Sequence, residues 1–135
     1  MRQFHLEIVT PDGLLFDGEA QKIIVRTTEG DVGIMARHSD YVASLSIGIA
    51  RIFTDEGERK GACSGGMVTV SGGVVRVIAS TFEWSEDIDV ARAMKAKEKA
   101  EARLKKAERS DYEYKLAEIK LKKSLARLKV SGKKG

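Results

Sequence analysis

Cysteine occurs once in this sequence, at Cys63, and histidine twice, at His5 and His38. A single thiol excludes an intrachain disulfide and fits a reducing compartment. So small a stock of His and Cys ligands argues against a metal site, and none is expected. Long hydrophobic runs are missing too. No stretch approaches the roughly 18 apolar residues that a membrane-crossing helix needs, so no direct membrane insertion is expected. The opening Met1-Arg2-Gln3-Phe4-His5 lacks the apolar core of a signal peptide, and no transit peptide is evident. There is no GxxxxGK[ST] phosphate loop, and no glycine fingerprint opens a helix. Ser44, Ser64 and Ser71 have no partners for a nucleophilic triad beyond the two histidines. Carboxylates are numerous, yet the sequence places no pair on one wall of a pocket. No catalytic residue is therefore expected, and the chain reads as a non-enzyme.

What is present falls into two halves. Hydrophobic residues make up 42% and charged residues 33%, which describes a globular chain rather than a disordered one. The net charge of +4 is unevenly divided: residues 1–87 hold 8 Lys/Arg against 13 Asp/Glu, and residues 88–135 hold 16 against 7. A negative body thus carries a positive tail, able to fold back on that body or to reach an acidic partner.

Residues 4–84 read as strands. Phe4, Leu6 and Ile8 alternate with His5, Glu7 and Val9, the period of a half-buried strand. Short apolar runs follow, broken by Pro11-Asp12-Gly13, Asp17-Gly18, Glu29-Gly30-Asp31, Asp55-Glu56-Gly57 and two Gly-Gly pairs. Ser64-Gly65-Gly66-Met67-Val68-Thr69-Val70 is echoed at once by Ser71-Gly72-Gly73-Val74-Val75-Arg76-Val77, which predicts a hairpin at the second pair. About ten short strands in an all-β antiparallel sandwich or barrel are expected over 1–84. Cys63 reads as a small core residue, and Trp84, the single tryptophan, as packing at the boundary between the halves.

From Gly73 to Gly132 there is no glycine, and Ala, Lys, Glu and Leu dominate. A two-helix hairpin is expected over 85–135, with helices near 90–108 and 111–129. Asp89 suits the first N-cap, and Ser110 or Asp111 the second. At about 100° per residue, Val90, Ala93, Met94, Ala100, Leu104 and Ala107 share a stripe. Arg92, Lys99, Arg103 and Lys106 fall on roughly the opposite side, where they read equally well as a solvated face. The second helix carries two apolar stripes: Tyr112, Leu116 and Ile119 on one, Tyr114, Leu121, Leu125 and Leu128 on the other. That fits a helix that exchanges partners, and equally a bent hairpin whose ends meet different neighbours.

Several segments together resemble one family. They are Phe4 through Gly13, Thr27-Thr28-Glu29-Gly30-Asp31-Val32-Gly33-Ile34-Met35 with its following His38, and Ser64-Gly65-Gly66 with the valine-rich strand after it. They are similar to epsilon subunits of bacterial F-type ATP synthases, and the resemblance covers essentially the whole chain. One departure is that Ser39-Asp40-Tyr41-Val42 stand where the family has a proline and a leucine.

The resemblance implies a non-catalytic subunit of the central stalk of a proton-translocating synthase, peripheral on the cytoplasmic face of a bacterial membrane. Its sandwich, 1–84, would grip the gamma subunit and the ring of c subunits, with His38 and Tyr41 in the rotor contact. Its hairpin, 85–135, would be a regulatory arm that meets the beta subunit and inhibits ATP hydrolysis. Ile88-Asp89-Val90-Ala91-Arg92-Ala93 also resembles the motif of epsilon subunits that bind ATP without hydrolysing it. By that resemblance Glu83, Ile88, Asp89, Arg92 and Ala93 form the centre of an ATP site, with or without magnesium. Lys99, Arg103, Lys122 and Arg127 are the cations placed to join it. The plain alternative is a capping Asp89 beside a solvated Arg92. Two rivals remain: a nucleic-acid-binding module, disfavoured by the scarce aromatics and acidic body, and an arm that is a passive clamp.

Overall fold

The computed structural model describes residues 2–107 and 111–132. Eight strands come first: β1 (Phe4–Thr10), β2 (Gly13–Ala20), β3 (Lys22–Thr27), β4 (Gly30–Met35), β5 (Tyr41–Ser44), β6 (Gly48–Thr54), β7 (Gly57–Ser71) and β8 (Val74–Trp84). A 3-10 turn (Ser85–Asp87) then leads to α1 (Val90–Lys106) and α2 (Tyr112–Val130). The chain separates into two compact units, Met1–Trp84 and Ser85–Gly135.

An all-β sandwich followed by a helical hairpin is thus what the chain forms, with eight strands among the described residues rather than about ten. Two expected breaks account for the difference. Asp17-Gly18 lies inside β2, and Gly65-Gly66 inside β7. Both glycines of the second pair have positive φ, 71° and 100°. A Cβ on Gly66 would lie only 1.9 Å from the Ile78 carbonyl oxygen. The pair therefore permits a close backbone approach within a continuous strand instead of ending one.

Three of the tight turns share one code. Thr10, Thr27 and Thr54 each end a strand, and each hydroxyl accepts a hydrogen bond of 3.2 Å from the backbone N–H two residues on. Three residues after each threonine stands a glycine with φ of 134°, 119° or 116°. The hydroxyl occupies a donor that the turn would otherwise leave unpaired, and the glycine takes a backbone geometry denied to other residues. The hairpin at Gly72-Gly73 joins β7 to β8, as the sequence echo predicts.

The hydrogen-bonded path runs β2-β1-β8-β7-β6-β3-β4, with β5 added to β7. All neighbours are antiparallel except β1 and β8. β7 pairs with β6 through Cys63 and with β5 from Met67 onward, changing partner at the glycine pair. Alternate residues of β1, β3, β4, β6, β7 and β8 face one core, in which Leu6, Ile8, Ile23, Ile34, Ile52, Val68 and Val77 are fully covered. Cys63 is buried there, and burial pushes its thiol up to about 12. Trp84 closes the sandwich within its own unit. It lies 4.9 Å from the Phe82 ring and 6.3 Å from Phe16, with the Arg59 guanidinium 3.7 Å over its face.

Candidate functional site

α1 starts where the sequence expects it. Asp89 has extended backbone, and its Oδ1 accepts a 3.0 Å hydrogen bond from the Arg92 N–H. Ile88 is half-buried, and its N–H bonds the Ser85 carbonyl at 3.4 Å, closing the short turn. Ala93 is buried and Arg92 exposed. Glu83 belongs to the sandwich unit, on β8 opposite Ala62. At α2 the N-cap position is Asp111; Ser110, the other expected cap, lies outside the described residues.

The two helices enclose a cavity of about 240 Å³. Ala96, Lys99, Ala100 and Arg103 line it from α1, and Lys120, Lys123, Ser124 and Arg127 from α2. Each set follows the spacing i, i+3, i+4, i+7, so each is one face of its helix. Small residues meet at the floor: Ala100 and Ser124 are buried, and the Ser124 hydroxyl satisfies itself on the Lys120 carbonyl at 3.0 Å. Five cationic side chains form the rim, and no carboxylate is among the lining residues. Like charges gathered this closely repel one another, and a polyanion relieves that repulsion.

This arrangement corrects the wheel reading of α1. The basic stripe lies beside the alanine stripe rather than opposite it, because Lys99 and Arg103 line the same groove as Ala96 and Ala100. Of the expected cations, the groove collects Lys99, Arg103 and Arg127. It does not collect Lys122, which is exposed on another side of α2. Arg92 precedes Ala96 by one turn and continues the basic face toward the helix start. Lys120, Lys123 and Ser124 were missed by sequence reasoning. Their signal was the spacing of Lys120, Lys123 and Arg127, visible once the two apolar stripes of α2 are set aside.

On α2 the covered face runs through Ala117, Ser124 and Leu128, with Tyr114 and Leu121 half-buried beside it. Of the other stripe, Leu116 is half-buried while Tyr112 and Ile119 are exposed.

The sandwich has its own candidate surface. His38 lies between β4 and β5, and its ring meets Tyr41 edge-on at 5.6 Å. Its Nδ1 is 2.7 Å from the Ser39 carbonyl, placed to donate to it. Just before it, Arg37 holds a φ of 66°, a conformation costly for a side-chain-bearing residue. Asp40 Oδ1 accepts a 3.3 Å hydrogen bond from the Gly72 N–H, tying this loop to the β7–β8 turn.

Family models match along nearly the whole chain. Residues 3–85 match the β-sandwich domain of the ATP synthase delta/epsilon chain, and residues 86–132 match its long α-helix domain. The chain belongs to the ATP synthase epsilon-chain family. The epsilon chain of Ruminococcus albus is 44% identical over 135 residues, covering 99% of this chain and 100% of that one. The epsilon chain of Halalkalibacterium halodurans is 39% identical over 133 residues, covering 98% and 100%. Among solved structures, a chain of the Euglena gracilis mitochondrial ATP synthase (OSCP/F1/c-ring, rotational state 1) superposes with a TM-score of 0.82 at 27% identity. That match covers 96% of this chain and 81% of the other. A chain from the Tetrahymena thermophila synthase central stalk and c-ring shares the fold at 17% identity, with a TM-score of 0.60. No helix among the described residues is long and apolar enough to cross a membrane.

Proposed function

We propose that this epsilon-family chain couples the synthase rotor to the catalytic head and restrains ATP hydrolysis through its helical hairpin, with ATP as a regulatory ligand. The sandwich would contact the gamma subunit and the c ring, using the loop of His38 and Tyr41. The hairpin would reach the beta subunit, and its excess positive charge would guide that encounter. Such a chain works at the cytoplasmic face of the membrane as a peripheral subunit, and the reaction itself belongs to other subunits.

The observation that carries the nucleotide reading is the groove between α1 and α2. Lys99, Arg103, Lys120, Lys123 and Arg127 converge there around a small-residue floor. Charge-assisted hydrogen bonds from such a set suit a phosphate chain. Arg92 lies one turn along the same helix face, and Asp89 holds the start of that helix in place. A ligand gripped by both helices favours the closed hairpin only by its preference for that state over an opened one.

Calorimetric titration of the intact chain with ATP tests this. Saturable heat is expected, weakened at least tenfold in Arg103→Ala and in Lys120→Ala. No saturable heat at millimolar ATP, or equal affinity in both variants, overturns the nucleotide reading. Deleting residues 88–135 is expected to raise ATP hydrolysis by the assembled synthase. Unchanged hydrolysis would make the hairpin a passive clamp.

A further inference from the structure

The outer face of the β1–β2 ribbon carries a cluster that neither the fold nor the nucleotide groove uses. His5 pairs across the strands with Glu19, and Glu7 with Asp17, so all four side chains leave the same face. His5 Nε2 is 2.7 Å from Asp17 Oδ1 and 3.5 Å from Glu7 Oε2. One ligand atom from each of His5, Glu7 and Asp17 falls within 4.8 Å of the other two.

We propose that His5, Glu7 and Asp17 form a three-ligand site for a divalent transition-metal ion of the zinc class. Metal–nitrogen and metal–oxygen bonds of about 2.0–2.2 Å at tetrahedral angles put neighbouring ligand atoms about 3.4 Å apart. The Glu7–His5 spacing already has that value, and the Asp17–His5 spacing reaches it by a small side-chain rotation at the surface. The supporting contacts are those a metal-binding imidazole and carboxylate need. Glu19 Oε1 lies 3.4 Å from His5 Nδ1, the ring nitrogen that would face away from the metal. Arg76 Nε donates to Glu7 Oε1 at 2.8 Å, which leaves Oε2 for the ion. Both partners are fixed by the sheet, since β8 pairs with β1 and sets Arg76 opposite Glu7.

Three carboxylates surround this ring, and Arg76 offsets only one of them, so a dication is better compensated here than a proton. One imidazole with two carboxylates favours zinc-like ions over calcium or magnesium, which prefer sets made of oxygen alone. The argument from few His and Cys residues does not reach this site, because two of its three ligands are carboxylates, Glu7 on the same strand as His5 and Asp17 on the paired one.

The test is a zinc chloride titration of the intact, tag-free, chelator-treated chain, read by calorimetry and by thermal unfolding. One equivalent of zinc is expected to bind and to raise the unfolding midpoint. His5→Gln and Asp17→Asn should each weaken binding at least tenfold, and Glu19→Gln by about tenfold. Calcium in large excess should leave the midpoint unmoved. Absence of saturable zinc binding, unchanged zinc affinity in His5→Gln, or an equal response to calcium would overturn the site and leave a cross-strand ion-pair network.

Discussion

In the sandwich, Leu6, Ile8, Ile23, Ile34 and Ile52 lie at zero exposure, whereas the buried positions on α1 are Ala93 and Ala100, at 1% and 2%. On α2 the buried set is Ala117, Ser124, Leu128 and Val130, while Tyr112, Ile119 and Leu125 are 77%, 44% and 40% exposed. The sandwich thus has a core of fully covered large apolar groups, although Leu14, Met35 and Val42 stay exposed on its surface, while the hairpin buries mostly small residues. Burial stabilises by about 25 cal/mol per Å² of apolar surface, so the hairpin gains much less per residue. Small residues at the seam let its two helices meet closely. Of the two units the sandwich is the frame, with the larger apolar core.

The sharpest way to break this contrast is to cut into the frame. Ile52→Ala leaves a cavity in the core and is expected to cost about 3–4 kcal/mol in a denaturant melt. The same variant should expose Cys63, whose high pKa and burial protect it from thiol reagents in the native fold. A larger residue in the hairpin seam sharpens the contrast from the other side. Ala100→Leu overfills the α1–α2 contact and should cost about 2 kcal/mol. It is expected to lower helical circular dichroism while Cys63 stays unreactive. If Cys63 became reactive in that variant, the two units would not open separately. Asp89→Ala removes the α1 cap and should cost about 1 kcal/mol. Hydrogen exchange should then quicken in the first turn of α1 and not in the strands.

The smallest effect concerns pH. Glu58 accepts a hydrogen bond from Arg51, which holds its carboxyl below the ordinary 4.5. Its folded value lies below its unfolded one, so the pair's contribution is present above the unfolded value. That contribution is lost as pH falls through the folded value. A carboxyl NMR titration should show Glu58 returning to the ordinary range in Arg51→Ala. The pair is exposed, and its effect on the melting midpoint should be slight.

How far the sequence reached depended on whether a signal was local. Period-two alternation in β1 and the glycine-free run after Gly73 are local, and both the fold class and the helix start at Asp89 could be read from them. The strand count could not. Gly18 looks like a turn until β2 is seen to run straight through it, and Gly65-Gly66 until the Ile78 backbone is known to pass against Gly66. Lys99, Arg103 and Arg127 were legible as cations of the right helices. That Lys120 and Lys123 join them, and Lys122 does not, depends on which side of α2 faces α1. The two apolar stripes of α2 left that choice open. The His5–Glu7–Asp17 cluster was illegible for the same reason, since Asp17 joins His5 and Glu7 only through the β1–β2 pairing.

β7 has one more consequence, for how the frame bears load. From Gly61 to Ser71 it is laddered to β8, and on its other side first to β6 and then to β5. At about 3.3 Å per residue, its contour is roughly 50 Å. A twisting force that slides β7 past β8 meets many backbone hydrogen bonds side by side rather than one at a time. Under a load across the sandwich such a strand would act as a tie-bar: force arriving at the β5 end would pass to the β6 end through the main chain, without relying on the packing of any single side chain.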